Sequence, residues 1–75
     1  MKLHYYPETD SLYIDLAEGT SVESREVADG IVLDYDATGN LVGIDIDHAS
    51  AKVQLNTLQT SGWPGPVDDI QPRSA

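Results

Sequence analysis

The sequence contains no cysteine and no phenylalanine, one tryptophan, one methionine and only four lysines and arginines among its 75 residues. Without cysteine, neither a disulfide nor a thiolate zinc cage can hold the fold, so stability has to come from packing or from association with another chain. A chain of this length buries only about 60% of the surface its unfolded form exposes. One thin core is therefore expected, and a homo-oligomer is an open option. No apolar run is long enough to cross a bilayer, and Met1–Pro7 has no apolar leader, so a cytoplasmic protein without a membrane partner is expected. The four bases, Lys2, Arg25, Lys52 and Arg73, are too dispersed to form a phosphate-binding patch.

Acid is what the sequence has in excess. The net charge is −9, and from Glu8 to Asp47 there are eleven acidic residues against the single base Arg25. Such a field repels nucleic acid and favours solubility and encounter with basic partners or cations.

Alternation with a period of two dominates the first two-thirds. Leu12, Ile14 and Leu16 interleave with Tyr13 and Asp15; Ile31, Leu33 and Tyr35 with Val32 and Asp34; Val42, Ile44 and Ile46 with Gly43 and Asp45; Leu3 and Tyr5 begin the pattern. Such alternation predicts about four half-buried strands. Turn residues separate them at Pro7–Asp10, Glu18-Gly19, Ala28–Gly30 and Ala37–Asn40. A four-residue first loop sets Tyr5 opposite Leu12, Leu3 opposite Ile14 and Lys2 opposite Asp15, which pairs apolar with apolar and base with acid. A four-residue last loop sets Tyr35 by Val42, Leu33 by Ile44 and Ile31 by Ile46. A three-residue loop with Gly39 as a left-handed bulge residue sets Tyr35 by Leu41 instead, and a bulge must then restore the alternation. Val22–Val27 reads as an irregular strand, since its two valines fall on opposite faces.

After Asp47 the spacing of Ala51, Leu55 and Leu58 predicts an amphipathic helix from about Ala49 to Leu58, capped by Asp47 or Ser50 and lying on the apolar face. Residues 1–58 then form a single α+β domain, an antiparallel β-meander with one C-terminal helix, and 59–75 a mobile tail. Trp63 is a large apolar surface to leave wet and could fold back onto the body.

The segment from Asp34 to Asp45 imitates an EF-hand loop at positions one, three, five and six, but its twelfth residue is Asp45 and its flanks alternate as strands. A hairpin explains it better, with Asp36 starting the turn. The polar face then offers Asp34, Asp36, Asp45 and Asp47, along with Tyr6, Tyr13 and Val32 as an apolar minority. Solvated carboxylates are the plain reading; a weak divalent-cation or metal-dependent hydrolytic site is the alternative. His4 and His48 have no second imidazole at ligand spacing and no nucleophile placed beside them. No catalytic residue, cofactor or metal ligand is assigned.

Three stretches together, Tyr5–Ile14, Arg25–Asp36 and Gly39–Ile46, resemble the small prokaryotic family called domain of unknown function 2283. The resemblance covers roughly Lys2 to Ser50. Tyr6 directly precedes Pro7 where the family typically has Tyr-Asp-Pro, and Asp45 stands where the family often has Glu. The resemblance implies a stand-alone bacterial protein whose gene neighbours those of other small proteins, an arrangement like a toxin and antitoxin pair; it brings no catalytic residues. The expectation is a non-enzymatic interaction module whose acidic, partly aromatic face or open strand edge engages a basic protein or a second copy of itself.

Overall fold

The computed structural model describes residues 1–69; the end of the expected tail, residues 70–75, lies outside the described residues. Among them are five strands, β1 (Lys2–Tyr6), β2 (Ser11–Asp15), β3 (Glu23–Ala28), β4 (Ile31–Tyr35) and β5 (Leu41–Ile46), followed by one helical turn, α1 (Ala49–Lys52). All neighbours are antiparallel, in the order β1-β2-β5-β4-β3. The fold is thus α+β, with five strands where about four were expected. The additional strand is the irregular segment: it pairs with β4 along its length, with Val27 as an extra residue between the Glu26–Val32 and Ala28–Ile31 pairs.

The connectivity is not a meander. β3, β4 and β5 follow as hairpins, but β2 lies beside β5, and residues 16–22 carry the chain across to β3, making a Greek key extended by β1. Burial explains the choice. Pairing β2 with β5 sets Leu12 against Ile46 and Ile14 against Ile44 at the centre, whereas β3, with Glu23, Arg25 and Glu26, is exposed throughout and suits an edge. The crossing segment is tied down at both ends, Leu16 N–H donating to the Val42 carbonyl at 2.9 Å and Val22 N–H to that of Tyr35 at 2.9 Å.

Both hairpin registers follow side-chain chemistry. In the first, Lys2 faces Asp15, Leu3 faces Ile14 and Tyr5 faces Leu12, as the four-residue loop requires. In the last, Ile31 faces Ile46 and Leu33 faces Ile44, but Tyr35 faces Leu41, and Val42 is the bulge residue that restores the alternation. The three-residue loop with Gly39 at φ 85° is the one formed. Asp36 dictates it: Oδ1 accepts from Thr38 N–H (3.0 Å), Thr38 Oγ1 (2.9 Å) and Asn40 N–H (2.9 Å), while Oδ2 accepts from Asn40 Nδ2 (3.3 Å).

The helix is much shorter than the apolar spacing predicts. It stops at Lys52, and Val53 is already extended at φ −133°. Leu55 and Leu58, which suggested continuation, are exposed; the positions that touch the sheet are Ala49, fully buried, and Val53, half-buried. A single turn has little helical stability of its own. Tertiary bonds hold it. The residue preceding it is His48 in a left-handed conformation with no capping side chain, so neither Asp47 nor Ser50 acts as the expected cap. The cap comes instead from the first hairpin turn: Ala49 N–H donates to the Asp10 carbonyl at 2.8 Å, while Ser50 N–H and Oγ donate to the Asp10 carboxylate at 3.1 and 2.6 Å. Tyr5 Oη donates to the same carboxylate at 2.8 Å.

These bonds stabilise the ionised form, so the Asp10 carboxyl is held below its usual pKa, first by Ser50 and then by Tyr5, and that of Asp36 is lowered chiefly by the Asn40 N–H. A carboxyl whose pKa falls on folding contributes stability above the unfolded value of 3.8, and that contribution is lost as pH falls through the lowered folded value. The Asp10→Asn variant is therefore expected to melt earlier than the parent at neutral pH. The difference shrinks in strong acid; melting followed by circular dichroism across the acid range checks both.

Candidate functional site

Directly opposed residues of an antiparallel sheet share a face, so the registers sort the side chains. One face carries the row Leu3, Ile14, Ile44, Leu33 and Arg25 and the row Tyr5, Leu12, Ile46, Ile31 and Ala28. The other carries Lys2, Asp15, Gly43, Asp34 and Ser24, then His4, Tyr13, Asp45, Val32 and Glu26. Of the residues singled out on the polar side, Tyr13, Val32, Asp34 and Asp45 come together. Tyr6 sits on the exposed β1, two residues from His4, whose ring stacks with its own at 6.4 Å. Asp36 is taken up by its turn, and Asp47 lies past the end of β5, its carbonyl accepting from Lys52 Nζ.

The centre of the polar face is a hydrogen-bonded bridge that the acidic composition does not reveal. Tyr13 on β2 leans diagonally across β5 and donates to Asp34 Oδ2 on β4 at 2.9 Å, and Ser24 on β3 donates to Asp34 Oδ1 at 2.6 Å. It crosses β5 at Gly43, where an added Cβ would fall 2.0 Å from Tyr13 Oη. Gly43 and Ser24 are thus structural partners that alternation alone missed. The signal for Gly43 was present: an isolated glycine inside a strand often marks a close approach. Burial and the Asp34 carboxylate push the Tyr13 phenol up to about 12. Asp45, opposite Tyr13, is raised by burial and by the charges of Asp47 and Asp34.

Chemically, this surface resembles a braced acidic plate. Asp34 and Asp36 already accept several hydrogen bonds, and Asp45 faces the charges of Asp47 and Asp34. Among the described residues no group of three His, Cys, Asp or Glu side chains is placed to hold a metal ion. The segment 34–45 is strand, turn and strand, which removes the EF-hand likeness. A cleft of about 780 Å³ lies elsewhere, between β1 and the stretch after α1, lined by Met1, Leu3, His4, Leu58, Trp63 and Val67. Trp63 thus stands beside β1, still 46% exposed.

Two outcomes test the plate. Gly43→Ala is expected to displace the Tyr13 ring, lowering its phenol pKa from about 12 toward the ordinary 10 in an ultraviolet titration and reducing stability by about 1–2 kcal/mol in urea unfolding. Asp45, with a folded pKa raised above 3.8, favours folding at pH values below 3.8 and disfavours it increasingly as pH rises through the folded value. Asp45→Asn should then raise the melting temperature at neutral pH, an advantage that disappears in acid.

No curated protein and no solved structure matches the chain. A family model does match, over residues 2–50. That interval contains all five strands and both halves of the Asp10–Ser50 clamp and ends inside α1. The chain belongs to the family described as protein of unknown function (DUF2283).

Proposed function

We propose that this protein is a non-enzymatic interaction module that engages another protein through the apolar face of its sheet. The observation that carries the reading is the open row Leu3, Ile14, Ile44 and Leu33. It runs unbroken across four strands, yet Leu3 is exposed and the other three only half-buried. In the neighbouring row Leu12 and Ile46 are buried beneath Ala49. A contiguous apolar surface of this kind marks a contact site more often than a solvated surface.

The acidic face supports the same reading from the other side. Asp34 and Asp36 are spent on internal hydrogen bonds, which favours a structural role for them over metal-assisted hydrolysis. Sheet extension is less favoured than face packing, because β3 carries three charges and a bulge while β1 begins at Lys2 and ends before Pro7.

Affinity capture at about 0.5 M salt, where exposed charges beyond a few ångströms are screened, tests the reading. The wild-type chain and Asp45→Asn are expected to retain a common partner, and Leu33→Gln, checked for folding, to lose it. Retention that is lost at high salt and indifferent to Leu33 would move the contact to the acidic face.

A further inference from the structure

We infer that residues 59–69 form a strap that closes over β1 and guards this edge of the sheet against the addition of another strand, a device separate from the contact face proposed above. The two edges of the sheet differ. β3 carries Glu23, Arg25 and Glu26 and a bulge at Val27, each of which discourages a further strand. β1 is blunted only at its ends, by Lys2 and Pro7; residues 3–6 between them have no carboxylate and pair with β2 without a bulge. An edge this regular invites pairing unless something covers it.

A cover stands ready beside it. The cleft of about 780 Å³ has Lys2 and Leu3 on one wall and Trp63, Val67 and Asp68 on the other. Leu3 and Trp63 are each close to half exposed, at 44% and 46%, so closing the cleft removes apolar surface from water on both sides. Charge acts in the same direction. Residues 59–69 hold Asp68 and Asp69 and no base, whereas β1 holds Lys2 and no acid. The strap also has the composition of a cover that cannot itself become a strand: Pro64 and Pro66 lack the N–H groups that a ladder needs, so the sheet does not grow by being covered. Gly62, at φ 65°, and Gly65 flank Trp63 and Pro64, and an added Cβ at either would meet nothing within 4 Å. They serve as hinges about which the indole swings onto Leu3 while Asp68 approaches Lys2.

Trp63 is the one tryptophan of the chain, so its fluorescence reports the strap alone. In the full chain at about 0.15 M salt, Overhauser contacts between the Trp63 ring and the Leu3 methyl groups are expected, with the indole shielded from acrylamide. Asp68→Lys, at an exposed position, should lose those contacts and raise the quenching while the circular dichroism of the sheet stays as in the parent. Opened in this way, or by Trp63→Ser, the chain should sediment at a higher mass than the parent at the same concentration, and the β1 amides that point away from β2 should gain protection from exchange as it does. An indole without contact to Leu3 and quenched as fully as in urea overturns the strap. Opening that leaves the mass as it is in the parent overturns the guarding of the edge, and association that protects β3 in place of β1 does so too.

Discussion

An apolar sheet face needs an apolar layer against it; here Ala49 and Val53 pack on the Leu12 and Ile46 cluster, and the crossing segment at Gly19 lies against Val42, which is 3% exposed. The start of the turn bearing Ala49 is held by Asp10. The Asp10 carbonyl and carboxylate accept the first free N–H groups of α1, and the same carboxylate takes the hydroxyls of Tyr5 and Ser50. One aspartate thus fixes the first hairpin, the helix start and the covering of Leu12 and Ile46. Its left-handed backbone, φ 51°, is a conformation that Asp tolerates better than most residues. Without the clamp the turn has too few residues to persist, and the small buried cluster of Leu12, Ile46 and Ala49 loses its lid.

A similar economy governs the other acids. A net charge of −9 suggests a solvated acidic surface, but four of the carboxylates are working parts of the fold, Glu26 accepting the Gly30 N–H at the β3–β4 turn among them. Asp10 caps a helix from a distant turn, Asp36 shapes the β4–β5 turn, and Asp34 joins β2 to β3 across β5 through Tyr13 and Ser24. Asp45 is the exception. It is partly withdrawn from water and faced by the charges of Asp47 and Asp34, so its ionised form works against the fold.

Local periodicity exposed what depends on neighbours in sequence and little of what depends on distant ones. Alternation located the strands, and the pairing of Lys2 with Asp15 and of Leu33 with Ile44 followed from hairpin loops a few residues long. Pairing of β2 with β5 did not, because it depends on burying Ile14 and Ile44 together, and nothing in a single sequence links strands so far apart. The helix was overread for a related reason. Leu55 and Leu58 have helical spacing from Ala51, but spacing stabilises a helix only where the stripe reaches a surface to cover, and these leucines do not. Within the candidate site, Asp34, Asp45, Tyr13 and Val32 could be assigned to one face from the alternation. The bridge itself could not, since Tyr13 reaches Asp34 diagonally over the one strand position that lacks a side chain.

That diagonal reach ties the two faces together. Gly43 leaves one position on the polar side of β5 without a side chain, so the Tyr13 ring passes over it to reach Asp34. The Asp34 carboxylate is thereby engaged by both Tyr13 and Ser24, and Ser24 brings β3 into the same network. A strand as polar as Glu23–Ala28 has almost no apolar contact to hold it at the edge, and every one of its residues is exposed. It is retained by its ladder with β4, by Ser24 on one face and by Arg25 against Tyr35 on the other. The polar bridge thus helps to secure the edge strand, whose Arg25 borders the apolar row beside Leu33.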